Sequence, residues 1–168
     1  MSLVSYKEKV LHIPCEAFNF ENPQTDPKAL ANALMDEKTR KNALGLAANQ
    51  IGVSLRVFAF DNEVAFNPQV IMSSLETQLM TEGCLSYPGM WISIERPSYA
   101  TVRYWTEDGK EVERDLSSLE TRVFLHELDH LDGLTMLDYA SKFKLQRAIE
   151  KAQKDGFVYN YKELCKPV

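Results

Sequence analysis

Within FLHELDHLDG, residues 124–133, His126 and His130 stand four positions apart and Glu127 directly follows the first of them. In a helix, residues at this spacing share one face, so the two imidazoles can aim at a single point. Glu127 is displaced around the helix by roughly a hundred degrees, yet stays close enough to reach a water held at that point. Two nitrogen donors for a divalent ion and a carboxylate to move a proton are the equipment of metal-assisted hydrolysis. The plain alternative is a helix with two hydrogen-bonded histidines and a surface ion pair. Two of only three histidines in the chain fall at ligand spacing beside a glutamate, which favours the site. The third, His12, is expected to be structural or exposed.

Two imidazoles leave an ion short of donors, because a catalytic zinc or iron site takes three from the protein and keeps a place for water. Downstream, Asp132, Asp138, Glu150, Asp155 and Glu163 offer oxygens but no further histidine follows. Upstream, Cys84 lies in Glu82-Gly83-Cys84-Leu85-Ser86, just before Pro88-Gly89, and Gly83 permits close backbone approach. Taken alone, a cysteine is more often a small buried apolar residue than a ligand, and only combination with other features reverses that preference for Cys84.

The elements that must position these residues are partly legible. Asp26-Pro27 reads as an N-cap followed by proline at the first helical position, with Ala29, Leu30, Ala33 and Leu34 as the apolar stripe. LRVFAF (55–60) and the segment from Val64 to Ile71 have strand composition, the second broken at Asn67-Pro68. Residues 98–105 and 110–116 flank Asp108-Gly109 and predict an antiparallel hairpin. A helix follows over 118–132, opened by a Ser117–Glu120 capping box and closed by Gly133, with Leu119, Val123, Leu128 and Leu131 making it apolar enough to bury. A second helix over 141–154 would pack through Phe143, Leu145, Ala148 and Ile149. This order predicts an α+β fold, with residues 1–168 forming one domain.

Apolar residues are 45% and charged residues 26%, a balance that points to a globular chain rather than a disordered or fibrous one. No apolar run is long enough for a signal peptide or a membrane span, and no transit peptide is evident, so a cytoplasmic protein is expected. Three cysteines (Cys15, Cys84 and Cys165) cannot all pair within the chain, which suits a reducing compartment. A net charge of −5 argues against DNA and general nucleic-acid binding. The exception is Ser141 to Lys154, with five basic residues and one acidic, which could dock weakly on ribosomal RNA or simply be a solvated helix face.

Three segments occur in order: ALGLAANQ (43–50), EGCLS (82–86) and HELDH (126–130). Their wording and order resemble the three signature motifs of the peptide deformylases, and the resemblance runs from about the first helix to the end of the helix bearing the third motif. It implies removal of the formyl group from N-formylmethionine at the start of new polypeptides, so N-formylmethionyl peptides would be the substrates. It also implies antiparallel sheets surrounding a central buried helix that carries His126 and His130. The cofactor implied is one divalent ion, Fe(II) in many members, with Zn, Ni or Co able to substitute. Cys84, His126 and His130 would hold the metal and Glu127 would act as general base and then acid. The Gln50 side-chain amide and the Leu85 backbone N–H would face the formyl oxygen, and Leu44 and Gly45 would line the groove for substrate.

Each implied role has a chemical reason. A formamide is unactivated, so the oxygen that becomes negative needs donors such as an amide and a backbone N–H. The leaving amine needs a proton, which a carboxyl near neutrality can deliver. A buried Glu82 would need a partner, and Arg96 is expected to supply a two-pronged one. The chain departs from the family wording at Ala43, where glycine is usual, and at Leu125, where glutamine is usual. Arg122, one turn before His126, is unexpected beside an apolar pocket; it would either reach to solvent along its stem or touch substrate beyond the first residue. Two competing readings are a zincin-type endopeptidase, for which Cys84→Ser would leave metal binding intact, and a binding protein without turnover.

Overall fold

A computed structural model describes residues 2–164 of the chain, so Cys165 lies outside the described residues. Helix α1 spans Pro27–Arg40, and Asp26 Oδ1 caps it by accepting from the amides of Lys28 (2.9 Å) and Ala29 (3.3 Å). Strands β1 (Gly45–Ala47), β2 (Val57–Phe60), β3 (Glu63–Ser73), β4 (Thr77–Cys84), β5 (Tyr87–Pro97), β6 (Tyr99–Trp105) and β7 (Glu111–Ser117) follow. Helices α2 (Ser118–Leu131), α3 (Lys142–Lys154) and α4 (Tyr161–Leu164) complete the described chain. The strands form two antiparallel sheets, one in the order β1-β2-β3-β6-β7 and one made of β4 and β5. The fold is therefore α+β.

Strand β2 is buried at all four positions because its sheet is covered on both faces. Val57 and Ala59 join Leu30, Ala31 and Leu34 of α1 in one apolar cluster, while Phe58 and Phe60 join Phe124 and Leu131 of α2 in another. Phe124 meets Phe58 and Phe60 edge to face, at ring separations of 5.0 and 5.3 Å, an arrangement aromatic pairs favour beyond their buried area. Helix α2 also packs on β5 of the smaller sheet, so it touches both sheets. Helix α3 covers β5, its Leu145, Ala148, Ile149 and Ala152 meeting Met90, Ile92 and Ile94.

Several local expectations change. Ala29 is exposed, and Ala31 takes its place on the buried face of α1. Asn67-Pro68 does not break β3: Asn67 adopts a positive φ of 49° at a register shift, and the strand resumes beyond it. The Asn67 side chain fixes that kink by accepting from Phe18 N (2.8 Å) and donating to Phe18 O (2.9 Å). The Ser117–Glu120 capping box is absent; β7 runs straight into α2 through Ser118 at φ 50°, and Ser117 makes no cap. Glu120 pairs with Arg114 instead. Phe143 is 69% exposed, since it lies two residues before Leu145 and so off the face repeated at 145, 148, 149 and 152. Leu119 is likewise exposed, on the wall of a cavity.

Gly133 closes α2 as expected, at φ +75°, and a Cβ there would stand 2.8 Å from the Ile13 carbonyl carbon. Gly133→Ala is therefore expected to lower the unfolding free energy by about 1–3 kcal/mol. Chemical denaturation checks this, and an unchanged midpoint would contradict the packing described.

Candidate active site

The β4–β5 hairpin and α2 build the site between them. Along β5, Met90, Ile92 and Ile94 alternate inward with period two, and Arg96 continues the same buried face. On β4 the register jumps from Gly83↔Trp91 to Cys84↔Tyr87, leaving residues 88–90 outside the ladder. Such an irregularity re-aims the side chain beside it, here Cys84. Its Sγ lies 3.2 Å from His130 Nε2. The donor atoms of Cys84, His126 and His130 all fall within 4.8 Å of one another. Three of the downstream carboxylates are engaged elsewhere: Asp132 pairs with Arg56, Asp138 binds Thr135, and Glu163 pairs with Lys7.

Behind the cluster lies a buried charge network. Glu82 Oε1 and Oε2 accept from Arg96 Nε (2.6 Å) and Nη2 (2.9 Å), the two-pronged pair anticipated above. Arg122 Nη1 donates to the same Oε1 at 2.6 Å. Glu82 Oε2 lies 2.8 Å from His126 Nδ1. Arg96 reaches on to Asp129 (2.8 Å), which accepts from the Tyr139 hydroxyl (2.9 Å). Burial opposes ionisation of Glu82, but Arg96 and His126 outweigh it and bring its pKa down to about 2. An ionised carboxylate only accepts, so it holds the His126 proton on Nδ1 and leaves the Nε2 lone pair free to bind an ion beside Cys84.

Arg122 does not reach to solvent. It is 4% exposed, and besides Glu82 it donates to Ile94 O (3.0 Å) and Gln78 O, tying α2 to the hairpin. The network that draws it inward depends on residues 28 to 44 positions away, which no local pattern reveals.

Glu127 is 4% exposed, and its Oε2 has no hydrogen-bond partner among the described residues. Burial raises its pKa to about 7 against the pull of the His126 and His130 rings. It occupies the space in front of Gly45, where a Cβ would stand 2.7 Å from Glu127 Cγ. Gly45 thus has a steric reason to lack a side chain. Gln50 sits in a 3₁₀ turn, Ala48–Ile51, with Oε1 accepting from Ala47 N (2.9 Å). That bond turns Nε2 to Ser86 Oγ (3.0 Å) and to within 3.5 Å of Cys84 Sγ. Ala43 has no positive φ. His12 is structural, its Nε2 lying 2.8 Å from Tyr6 O.

Two contributors escape sequence reasoning. Asn49 donates to His130 O (2.5 Å), joining the first motif to α2, and Ser86 holds the Gln50 amide. Both are neighbours of residues singled out, but their partners are distant in sequence. A cavity of about 400 Å³ opens on the cluster, lined among others by Gly45, Gln50, Leu85, Trp91, Arg122 and Glu127. Leu44 also lines it, 61% exposed.

The three donors suit a soft-to-borderline divalent ion. Burial works against the Cys84 thiolate, yet His130 and His126 hold the thiol well below its usual range, and thiolate with imidazole is a donor set for zinc or iron. A thiol and two imidazoles beside a buried acid, in an α+β fold, is the arrangement of a metal-assisted hydrolase.

Comparisons with known proteins narrow that class. The family model for polypeptide deformylase matches residues 1–146. A peptide deformylase of Pseudothermotoga lettingae is 36% identical over 149 residues, covering 83% of this chain and 87% of its own. The crystal structure of a peptide deformylase from Ehrlichia chaffeensis, in complex with actinonin, matches with a TM-score of 0.83 at 32% identity, covering 92% of this chain and 96% of that one. One from Legionella pneumophila matches with a TM-score of 0.84 at 28% identity, covering 92% and 94%. This chain belongs to the polypeptide deformylase family.

Because the folded pKa of Glu82 is about 2, below the ordinary carboxylate value of 4.5, its stabilisation is complete above 4.5 and lost as pH falls through 2. Glu82→Gln should therefore be less stable than the wild type at pH 7 and show a smaller further loss between pH 4.5 and 2. Denaturation across this range measures both, and parallel acid limbs would contradict the network.

Proposed function

We propose that this protein removes the formyl group from N-formylmethionine at the start of newly made polypeptides, releasing formate. The observation that carries the reading is the Cys84–His126–His130 cluster with the unpartnered Glu127 carboxyl beside it on one cavity. A single divalent ion, Fe(II) in our reading with Zn, Ni or Co as substitutes, would be held by Cys84, His126 and His130 and, when bound, supplies Lewis acidity that makes water a nucleophile near neutral pH.

The chain's own residues do the rest. Glu127, with a pKa brought to about 7 by burial, is matched to taking a proton from water and returning it to the leaving amine. The amine cannot depart as its anion, so this return is needed for the C–N bond to break. Gln50 Nε2, held toward Cys84 by the Ala47 bond to Oε1, is positioned to donate to the formyl oxygen as charge builds there. The Leu85 backbone N–H is the second donor in this reading, and Leu44 and Gly45 receive the substrate at the cavity's edge. Glu82 and Arg96 act behind the donors, orienting His126.

In the same reading, residues 1–168 act as one catalytic domain with α2 as the central helix between the sheets. Free Cys15 and Cys84 suit a reducing, cytoplasmic setting. The exposed basic residues of α3, within Ser141–Lys154, would make a weak contact with the ribosome, without which the chemistry is unaffected.

Anaerobic incubation of Fe(II)- or Ni(II)-loaded protein with formyl-Met-Ala-Ser should release formate. Glu127→Ala should retain the ion and lose roughly 100-fold or more of the rate. No formate from the loaded wild type would reject the function, and undiminished turnover in Glu127→Ala would remove that residue from its role.

A further inference from the structure

The two imidazoles of the cluster are held in different ways. His126 lies more than a turn inside α2, and Glu82 Oε2 stands 2.8 Å from its Nδ1. His130 is next to the last residue of α2, where the final carbonyls have no partner within the helix and the backbone is least secured. Its Nε2 faces Cys84 Sγ at 3.2 Å, but its Nδ1 is buried with no hydrogen-bond partner among the described residues. The aim of this ring therefore depends on the backbone that carries it.

That backbone is held from outside the helix. Leu131 O accepts from Cys15 N (2.8 Å), and His130 O accepts from Gly133 N (3.2 Å) and from Asn49 Nδ2 (2.5 Å). Asn49 is fully buried, and the same Nδ2 reaches Val10 O (3.3 Å) in the 3₁₀ turn Lys9–Leu11. Its own turn, Ala48–Ile51, also carries Gln50, whose Nε2 lies within 3.5 Å of Cys84 Sγ. Successive side chains of a 3₁₀ turn point about 120° apart, so this turn sends one amide back onto α2 and the next into the cavity. We propose that Asn49 is a positioning residue: by holding the His130 carbonyl it fixes the aim of that donor and, through the shared turn, sets the Gln50 amide against it. The part concerning Gln50 deepens the deformylase reading above and rests on it. What the position requires is a donor, since Asn49 Oδ1 is buried with no partner among the described residues.

Threonine and valine share a shape and differ by one hydroxyl donor, so Asn49→Thr and Asn49→Val separate the hydrogen bond from the space filled. Protein loaded with one equivalent of Ni(II) or Zn(II) is mixed with excess chelator and release of the ion is followed. Formate production from formyl-Met-Ala-Ser gives kcat and KM for the same proteins. Asn49→Val is expected to release the ion roughly ten-fold faster than the wild type or more, with kcat lowered and KM little changed. Asn49→Thr is expected to recover most of both losses. Asn49→Ala and Asn49→Ser make the same comparison if Asn49→Val does not fold. Release from Asn49→Val at the wild-type rate, or equal acceleration in Asn49→Thr and Asn49→Val, would overturn the role assigned to Asn49. A raised KM with unchanged kcat would overturn its link to Gln50. No formate from the wild type would overturn the deformylase reading, while ion release still decides whether Asn49 holds His130.

Discussion

One buried carboxylate holds the site together. Glu82 accepts from Arg96, Arg122 and His126 at once, so its partners come from both the small sheet and α2. Arg96 is on the second strand of the small sheet, Arg122 is buried one turn earlier on α2 than His126, and His126 is one of the three clustered donors. A buried ion pair is a poor source of net stability, but removing one partner leaves the others charged and dry, at about 3–5 kcal/mol. The network therefore constrains more than it stabilises. It fixes the hairpin against the helix, and with that the separation of Cys84 from His130, which lie on opposite sides of the joint.

A second constraint comes from close approach. Gly45 lies where any side chain would collide with Glu127, so β1 and α2 meet more closely than other residues would allow. The approach keeps Glu127 dry, and dryness is what raises its pKa to about 7. Asn49 reinforces the joint from the same segment by binding the His130 carbonyl. The first motif thus supplies both an amide in the cavity, from Gln50, and the backbone geometry that tunes the acid.

Much of the local structure was legible because its causes are local. Asp26-Pro27, Asp108-Gly109 and Gly133 each act within a few residues of themselves, through a cap, a turn and a left-handed φ. The histidine pair was legible for the same reason, since helical spacing alone puts both rings on one face. Cys84 could be joined to them only through the combination of three motifs, because the register jump that aims it is a property of the hairpin as a whole. Arg122 was not legible: its burial depends on a carboxylate forty positions upstream and on carbonyls of β4 and β5. Ser117 failed as a cap for the opposite reason, a backbone kink at Ser118 that side-chain type does not announce.

The central claim is that the Glu82 network sets Cys84, His126 and His130 as the donors of a single ion site. X-ray absorption on protein loaded with one equivalent of Ni(II) or Zn(II) tests it without reference to turnover. The account predicts one sulfur and two imidazole nitrogens around the ion, with the sulfur contribution lost in Cys84→Ser. An ion surrounded only by oxygen and nitrogen in the wild type would contradict it.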